Sequence, residues 1–131
     1  MAHSVLTHLM FEGNAETAMT FYVSLFRDAG VQEIERYGPA GPGKDGSIKV
    51  ARFTLAGREF LCIDSPAPHA FSFTPAMSLF VECEDDAELS RVFAALAKGG
   101  EVLMPLGDYG FSTRFGWLAD RFGVSWQLNL A

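Results

Sequence analysis

Near its end, between Val124 and Leu130, the chain alternates regularly between apolar and polar residues. The apolar set is Val124, Trp126, Leu128 and Leu130, and the polar set is Ser125, Gln127 and Asn129. Because successive side chains of a strand point to opposite faces, this pattern predicts a strand with one core face and one polar face. A polar strand face of this kind is a candidate ligand site.

Similar apolar runs predict further strands upstream. They are Val5–Phe11, Val31–Tyr37, Ser47–Leu55, Glu59–Ile63, Met77–Cys83, Glu101–Leu106 and Tyr109–Ala119. The turn residues Ala56-Gly57-Arg58 join two of these strands into a predicted hairpin. The segment 38–46 is too rich in Gly and Pro for regular structure and predicts a loop.

Two segments have apolar residues at helical spacing. The first follows Asn14, a good N-cap residue, and the sequence predicts that it ends before Gly30. The second follows Asp85, which forms a capping-box pattern with Glu88, and it should stop at Gly99. The apolar faces of the two helices are Ala18, Tyr22, Leu25 and Phe26 in the first and Leu89, Val92, Phe93 and Leu96 in the second.

The predicted order is β-α-β-β-β, twice. Residues repeat along with the elements: Thr7-His8-Leu9-Met10 aligns with Ser78-Leu79-Phe80-Val81, and the cap Asn14 aligns with Asp85. Agreement between caps, core positions and turns favours a duplicated module. We therefore predict one domain, 1–131, made of modules at about 1–66 and 76–131 with a connector at 67–75.

Composition limits which classes of partner and which cell compartment are expected. The chain has 131 residues and a net charge of −6, and its ten Lys and Arg residues are scattered, which disfavours nucleic acid. No apolar run is long enough to span a membrane, and the first residues lack the pattern of a signal peptide. Two cysteines, Cys62 and Cys83, suit a reducing cytoplasm better than a disulfide scaffold. A cytoplasmic protein is expected.

Several motifs together resemble a known family. They are AETAMTFYVSLF, RYGPAGPGKDGS, FSFTPAMSLFVEC and FGWLADRFGVSWQL. They are similar to the PhnB-like group, often labelled 3-demethylubiquinone-9 3-methyltransferase, of the vicinal oxygen chelate superfamily of glyoxalases, bleomycin-resistance proteins and extradiol dioxygenases. The resemblance implies an α+β fold of two βαβββ modules with mixed, cup-shaped sheets, in a homodimer whose cups can hold a small ligand or a metal. It does not imply a known reaction.

The resemblance also implies where a metal would bind. In metal-using members the ligands come from the first and last strand of each module, and the matching positions here are Thr7, Leu61, Ser78 and Gln127. One apolar residue, two hydroxyls and an amide make a poor divalent site, so no metal and no other cofactor is predicted. The unexpected ligands that would reopen the question are His8, Asp64, His69 and Glu82.

Strand alternation predicts which residues face the cup. The cup-facing set is Thr7, Leu9, Phe11, Ser78, Phe80, Gln127 and Asn129, with His8 on the opposite face of its strand. Glu82 is a further candidate ligand-binding residue, and Tyr109, Phe111, Arg114 and Trp117 are candidates for the rim of the cup. The alternative is that these aromatic side chains only fill the cup or the dimer interface.

Two classes of function stay open. The first is a metal-free protein that binds a small molecule in an aromatic-lined cup. The second is an enzyme, a lyase, isomerase or dioxygenase that uses a metal or acid–base chemistry at Glu82. Methyltransferase activity is not expected, because a Rossmann-type S-adenosylmethionine site needs alternating strands and helices. Glycine patterns between Gly38 and Gly46 match phosphate loops, but the residues after them alternate like a strand, not a helix.

Overall fold

The computed structural model describes residues 1–131 and contains two β-α-β-β-β modules. The first has β1 (Thr7–Phe11), α1 (Ala15–Leu25), β2 (Ala29–Arg36), β3 (Ile48–Leu55) and β4 (Arg58–Asp64). The second has β5 (Ser78–Glu82), α2 (Asp86–Ala97), β6 (Glu101–Gly107), β7 (Arg114–Ala119) and β8 (Ser125–Leu130). The predicted order of elements is confirmed in both modules.

The chain divides into two compact units, Met1–His69 and Ala70–Ala131. Each unit holds one mixed four-stranded sheet, with strand order β1-β4-β3-β2 in the first and β5-β8-β7-β6 in the second. In both sheets the first and last strands of the module are parallel neighbours, and the other pairs are antiparallel. The α+β fold of two modules is therefore confirmed.

The two helices begin differently. At α2 the Asp85 side chain accepts a hydrogen bond from the Glu88 amide, and Glu88 Oε1 accepts one from the Glu84 amide. This is the predicted capping box. At α1 the Asn14 side chain makes no capping bond. Instead Asp64, at the end of β4, accepts hydrogen bonds from the amides of Gly13 and Ala15.

Helix α1 ends before Gly30, as predicted, but Gly30 does not form its exit. The helix ends at Leu25, because Phe26 is already extended and Gly30 belongs to β2, where it pairs with Thr54. One predicted strand boundary is wrong. Strand β7 begins at Arg114, because Gly110 has a φ of 95° and its amide bonds to the Asp108 side chain in a turn. Tyr109 and Phe111 therefore lie in a loop before β7.

Each helix covers one face of its own sheet. In the first unit Cys62 of β4 contacts Met19 of α1, with 4.0 Å between the sulfurs. In the second, Gly116 of β7 lies so close to Phe93 of α2 that a Cβ would be crowded. We call the opposite side of each sheet its helix-free face. Neither helix, at 11 and 12 residues, is long and apolar enough to cross a membrane.

Candidate functional site

The first sheet does not present the predicted residues on its helix-free face. Thr7, Leu9 and Phe11 pair with Phe60, Cys62 and Asp64 of β4, and residues paired directly across strands share a face. Since Cys62 contacts α1, this row lies under the helix, and Leu9 and Phe11 are buried there. The prediction that Thr7, Leu9 and Phe11 face the cup is wrong. Both faces of β1 carry apolar residues, so alternation alone could not say which face the helix covers.

His8 is the residue that β1 contributes to the helix-free face. It pairs with Leu61, and Leu61 pairs in turn with Arg52 of β3. Thr7 and His8 lie on opposite faces of β1, as predicted. The prediction placed Thr7 on the cup-facing side, whereas the structure places His8 on the helix-free face.

The helix-free face of the second sheet carries the predicted polar residues. Ser78, Phe80 and Glu82 of β5 pair with Ser125, Gln127 and Asn129 of β8. The intervening Trp126 and Leu128 are fully buried on the α2 side. The alternation of β8 therefore gave the right faces in this module, and it also gave the right partners in β5.

The polar side chains on this face form a hydrogen-bonded chain. The hydroxyls of Ser78 and Ser125 are 2.6 Å apart, Gln127 Nε2 donates to Ser78 at 3.2 Å, and Trp117 Nε1 donates to Ser125 at 2.9 Å. Ser125 is buried and was missed as a candidate. Its place in the polar set of β8 was the available indication.

A second polar pair lies on the same face, two residues beyond the Phe80–Gln127 pair of β5 and β8. Asn129 Nδ2 donates to Glu82 Oε1 at 3.1 Å. Asn129 is only 9% exposed, yet its Oδ1 accepts no hydrogen bond. Nearly all buried polar atoms in proteins have a partner, so this acceptor is unusual.

Aromatic rings pack beside this pair. Phe115 of β7 pairs with Asn129 and contacts Phe80, Tyr109 and Phe111, with ring centroids 6.4, 6.1 and 5.0 Å away. Phe115 is buried, whereas Phe80, Tyr109 and Phe111 are 54%, 42% and 64% exposed. We call these four rings the aromatic cluster. Its centre, Phe115, was missed, although it alternates with Gly116 and Leu118 on β7.

The aromatic cluster, which includes the predicted Tyr109 and Phe111, thus shares one sheet face with the other predicted residues of this unit. They are Ser78, Phe80, Glu82, Trp117, Gln127 and Asn129. The rim candidate Arg114 is the exception, because its side chain lies on the α2 side and bonds to Asp86 and Ser90.

The positions that a metal would use do not fit a divalent cation. In the first unit Thr7 lies on the α1 side while Leu61 lies on the helix-free face, beside His8. In the second, Ser78 and Gln127 are hydrogen-bonded to each other through neutral groups. Asp64, an alternative ligand, uses both carboxylate oxygens on the amides of Gly13, Ala15 and Ile48. No group of three or more His, Cys, Asp or Glu side chains is placed to hold a metal ion.

A cleft of about 600 Å³ lies in the first unit, between the start of α1 and the glycine-rich loop. Its lining includes Lys44 and Ser47 but also Glu12, Glu16 and Asp45. The loop leads into β3, as predicted, and not into a helix. A phosphate here would meet several carboxylates and no helix N-terminus that follows the glycines, so the phosphate-loop patterns have no structural counterpart.

The two cysteines are free and buried. Burial raises the pKa of the Cys62 thiol to about 12 and that of the Cys83 thiol to about 11. Thiols of this kind are poor nucleophiles at neutral pH, and both cysteines behave as small core residues.

With this geometry in view, sequence comparison gives the family. The family described as 3-demethylubiquinone-9 3-methyltransferase matches residues 3–129. The chain belongs to this family. It is the PhnB-like family that the motifs resemble.

Solved structures agree with the PhnB-like assignment. A PhnB protein from Bacillus cereus is 56% identical, with a TM-score of 0.96 over 98% of this chain and 100% of that one. A protein from Pseudomonas aeruginosa is 28% identical, with a TM-score of 0.84 over 98% of each chain. No curated protein matches the chain significantly.

The wider fold is that of the glyoxalase superfamily. A glyoxylase/bleomycin resistance protein/dioxygenase domain from Frankia, 14% identical, has a TM-score of 0.68 over 100% of this PhnB-like chain and 98% of its own. At this identity the likeness establishes the fold alone.

Proposed function

We propose that this PhnB-like protein binds a small molecule with a planar, apolar body on the helix-free face of its second sheet. The observation that carries the proposal is the aromatic cluster, in which three partly exposed rings surround the buried Phe115. Exposed aromatic rings next to a few fixed polar groups are typical of ligand sites. The polar groups here are the Ser125–Ser78–Gln127 chain and the Glu82–Asn129 pair.

The binding we propose needs no metal. Ser78 and Gln127 are neutral and already hydrogen-bond to each other. His8 on the first sheet pairs with Leu61, an apolar residue that cannot bind a metal. Purified protein should contain no stoichiometric zinc, nickel, iron or manganese by elemental analysis. About one tightly held divalent ion per chain would overturn this part of the proposal, and His8→Ala would then be the first variant to examine.

Methyl transfer is not part of the proposal. The family description names it, but each module here has a single helix, and the glycine-rich loop runs into a strand. A Rossmann-type S-adenosylmethionine site needs a glycine turn that opens a helix.

An enzymatic role is the second candidate, and Glu82 favours it. Its carboxylate is exposed, Asn129 Nδ2 holds one of its oxygens, and it shares a sheet face with Phe80 and Phe115. A fixed carboxylate beside a bound molecule can act as a general acid or base. Conversion of a bound compound that Glu82→Gln abolishes without weakening binding would establish this role.

A homodimer in the cytoplasm completes the proposal. Leu9 and Phe11 give it no support, because both are buried on the α1 side. Support comes from apolar side chains outside the aromatic cluster that stay exposed, among them Val31, Ile34 and Val102. Sedimentation at micromolar concentration should give twice the 14.3 kDa chain mass, and a monomer throughout a dilution series would refute the dimer. Free, buried cysteines agree with a reducing compartment.

The binding proposal can be tested with 2-acetonaphthone, a neutral planar ketone. Titration followed by amide NMR should shift residues of β5, β7 and β8, and Phe111→Ala should weaken binding roughly five- to tenfold, as for a buried aromatic anchor. Val102→Ala is the matched control, because Val102 is 44% exposed, like Tyr109, but pairs with Leu118 on the α2 side. Shifts scattered over the molecule, or equal effects of both variants, would contradict the proposal.

A further inference from the structure

We infer that the ligand carries a cationic group with N–H donors, such as an amidinium or a protonated amine, which Glu82 and Asn129 recognise. This inference rests on the proposed binding face and specifies the chemistry of what binds there. Its basis is the unpartnered oxygen of Asn129, the unpaired charge of Glu82 and their position beside the aromatic cluster.

The first observation is Asn129 Oδ1. The residue is 9% exposed and this oxygen accepts no hydrogen bond. Leaving a buried acceptor unpaired is costly, so a buried oxygen without a donor calls for an explanation.

The orientation of the amide is fixed by its other end. Asn129 Nδ2 donates to Glu82 Oε1 at 3.1 Å. If the amide were turned over, its oxygen would face the carboxylate and two acceptors would oppose each other. The free atom is therefore an acceptor, and it requires a donor.

The second observation is the charge of Glu82. Glu82 forms no ion pair, unlike Glu16, Glu35, Glu59 and Asp86. Arg114, the basic residue on β7, is turned toward α2, where it bonds to Asp86 and Ser90. A ligand cation would supply the missing charge, and the net charge of −6 favours its approach.

The third observation is the position of these two acceptors. Glu82, Asn129 and Phe115 lie in one row across β5, β8 and β7. A planar ligand resting on the aromatic cluster around Phe115 would therefore place a donor group at its edge within the same row. An amidinium has two N–H groups directed side by side, which suits one carboxylate and one amide oxygen.

The test compares two naphthalenes that differ only in this group. 2-Naphthamidine carries the cationic donors, and 2-acetonaphthone has a similar shape but only an acceptor. Isothermal titration should show the amidine binding roughly tenfold more tightly to the wild-type protein, the usual scale of a charge-assisted hydrogen bond. Glu82→Gln and Asn129→Leu should each weaken binding of the amidine much more than binding of the ketone, which removes most of this preference. Glu84→Gln is the control, because it removes the same charge from an exposed neighbour and should leave the preference intact.

The outcomes separate the two proposals. Equal affinities of the two compounds, or a preference unchanged in Glu82→Gln, would overturn the inference while binding on the face stands. Absence of saturable binding by either compound would overturn both. If Asn129→Leu does not fold, Glu82→Gln and Glu84→Gln still decide the question.

Discussion

The indole N–H of Trp126 donates a 2.9 Å hydrogen bond to Oδ2 of Asp120. The other oxygen of the same carboxylate accepts from the amides of Phe122 and Val124. Asp120 is buried, so it both closes the turn between β7 and β8 and anchors the largest side chain of the second core.

Removing this carboxylate should therefore be costly. Asp120→Ala removes the acceptor of all three hydrogen bonds, and we expect the free energy of unfolding to fall by about 3 kcal/mol or more. Trp126→Ala, which instead leaves a cavity in the core, should lower the free energy of unfolding by roughly 3–5 kcal/mol. Urea denaturation measures both. Asp108→Ala is the control, since Asp108 is exposed and accepts from the Gly110 amide alone, and an equal loss there would contradict the expectation.

The start of α1 gives a second prediction. Asp64 accepts from the amides of Gly13, Ala15 and Ile48, whereas the Asn14 side chain caps nothing. Asp64→Ala should thus destabilise the protein by about 2–4 kcal/mol, and Asn14→Ala by less than about 0.5 kcal/mol. Chemical denaturation of the two variants decides the point, and a larger effect at Asn14 would show that the cap has been misassigned.

The unpaired oxygen of Asn129 should lower stability. Asn129→Leu replaces a buried amide by an apolar side chain of similar size, and we expect the free energy of unfolding to rise by about 1 kcal/mol. Thermal and urea unfolding in the absence of ligand measure the change. Gln127→Leu is the comparison, because Gln127 bonds to Ser78 and has no buried atom without a partner, so this variant should lose stability instead. A loss at both positions would mean that Asn129 Oδ1 is satisfied in solution.

The buried thiols give a pH dependence. The pKa values of Cys62 and Cys83 are raised from 9.0 to about 12 and about 11 by burial. Above pH 9 the unfolded chain loses these protons while the folded chain keeps them, so alkali favours unfolding. Each thiol should reduce stability by up to about 1.4 kcal/mol per pH unit between its unfolded and folded pKa values.

Denaturation curves from pH 8 to 11 test this slope. Cys62→Ala and Cys83→Ala should each reduce the loss of stability per pH unit. This effect distinguishes the thiols from lysines and tyrosines that titrate in the same range. An unchanged slope in both variants, or rapid labelling of the native thiols at pH 8, would contradict the assignment.

Local patterns in the sequence were enough to predict the order of elements, the duplicated module and the composition of each strand face. The period of two in β8 places Trp126 and Leu128 on one side and Gln127 and Asn129 on the other, whatever the rest of the chain does. Local chemistry was equally decisive at Asp85 and Glu88, because a capping box involves only neighbours in sequence.

Tertiary structure decided what depends on contacts between distant residues. In β1 both faces are apolar enough to be buried, so pairing with β4 and the position of α1, not alternation, placed Leu9 inside and His8 on the helix-free face. Asp64 reaches the start of α1 from β4, and Tyr109 and Phe111 reach Phe115 from a loop. Such contacts depend on register and chain reversal over many residues, and a single sequence carries no local pattern for them.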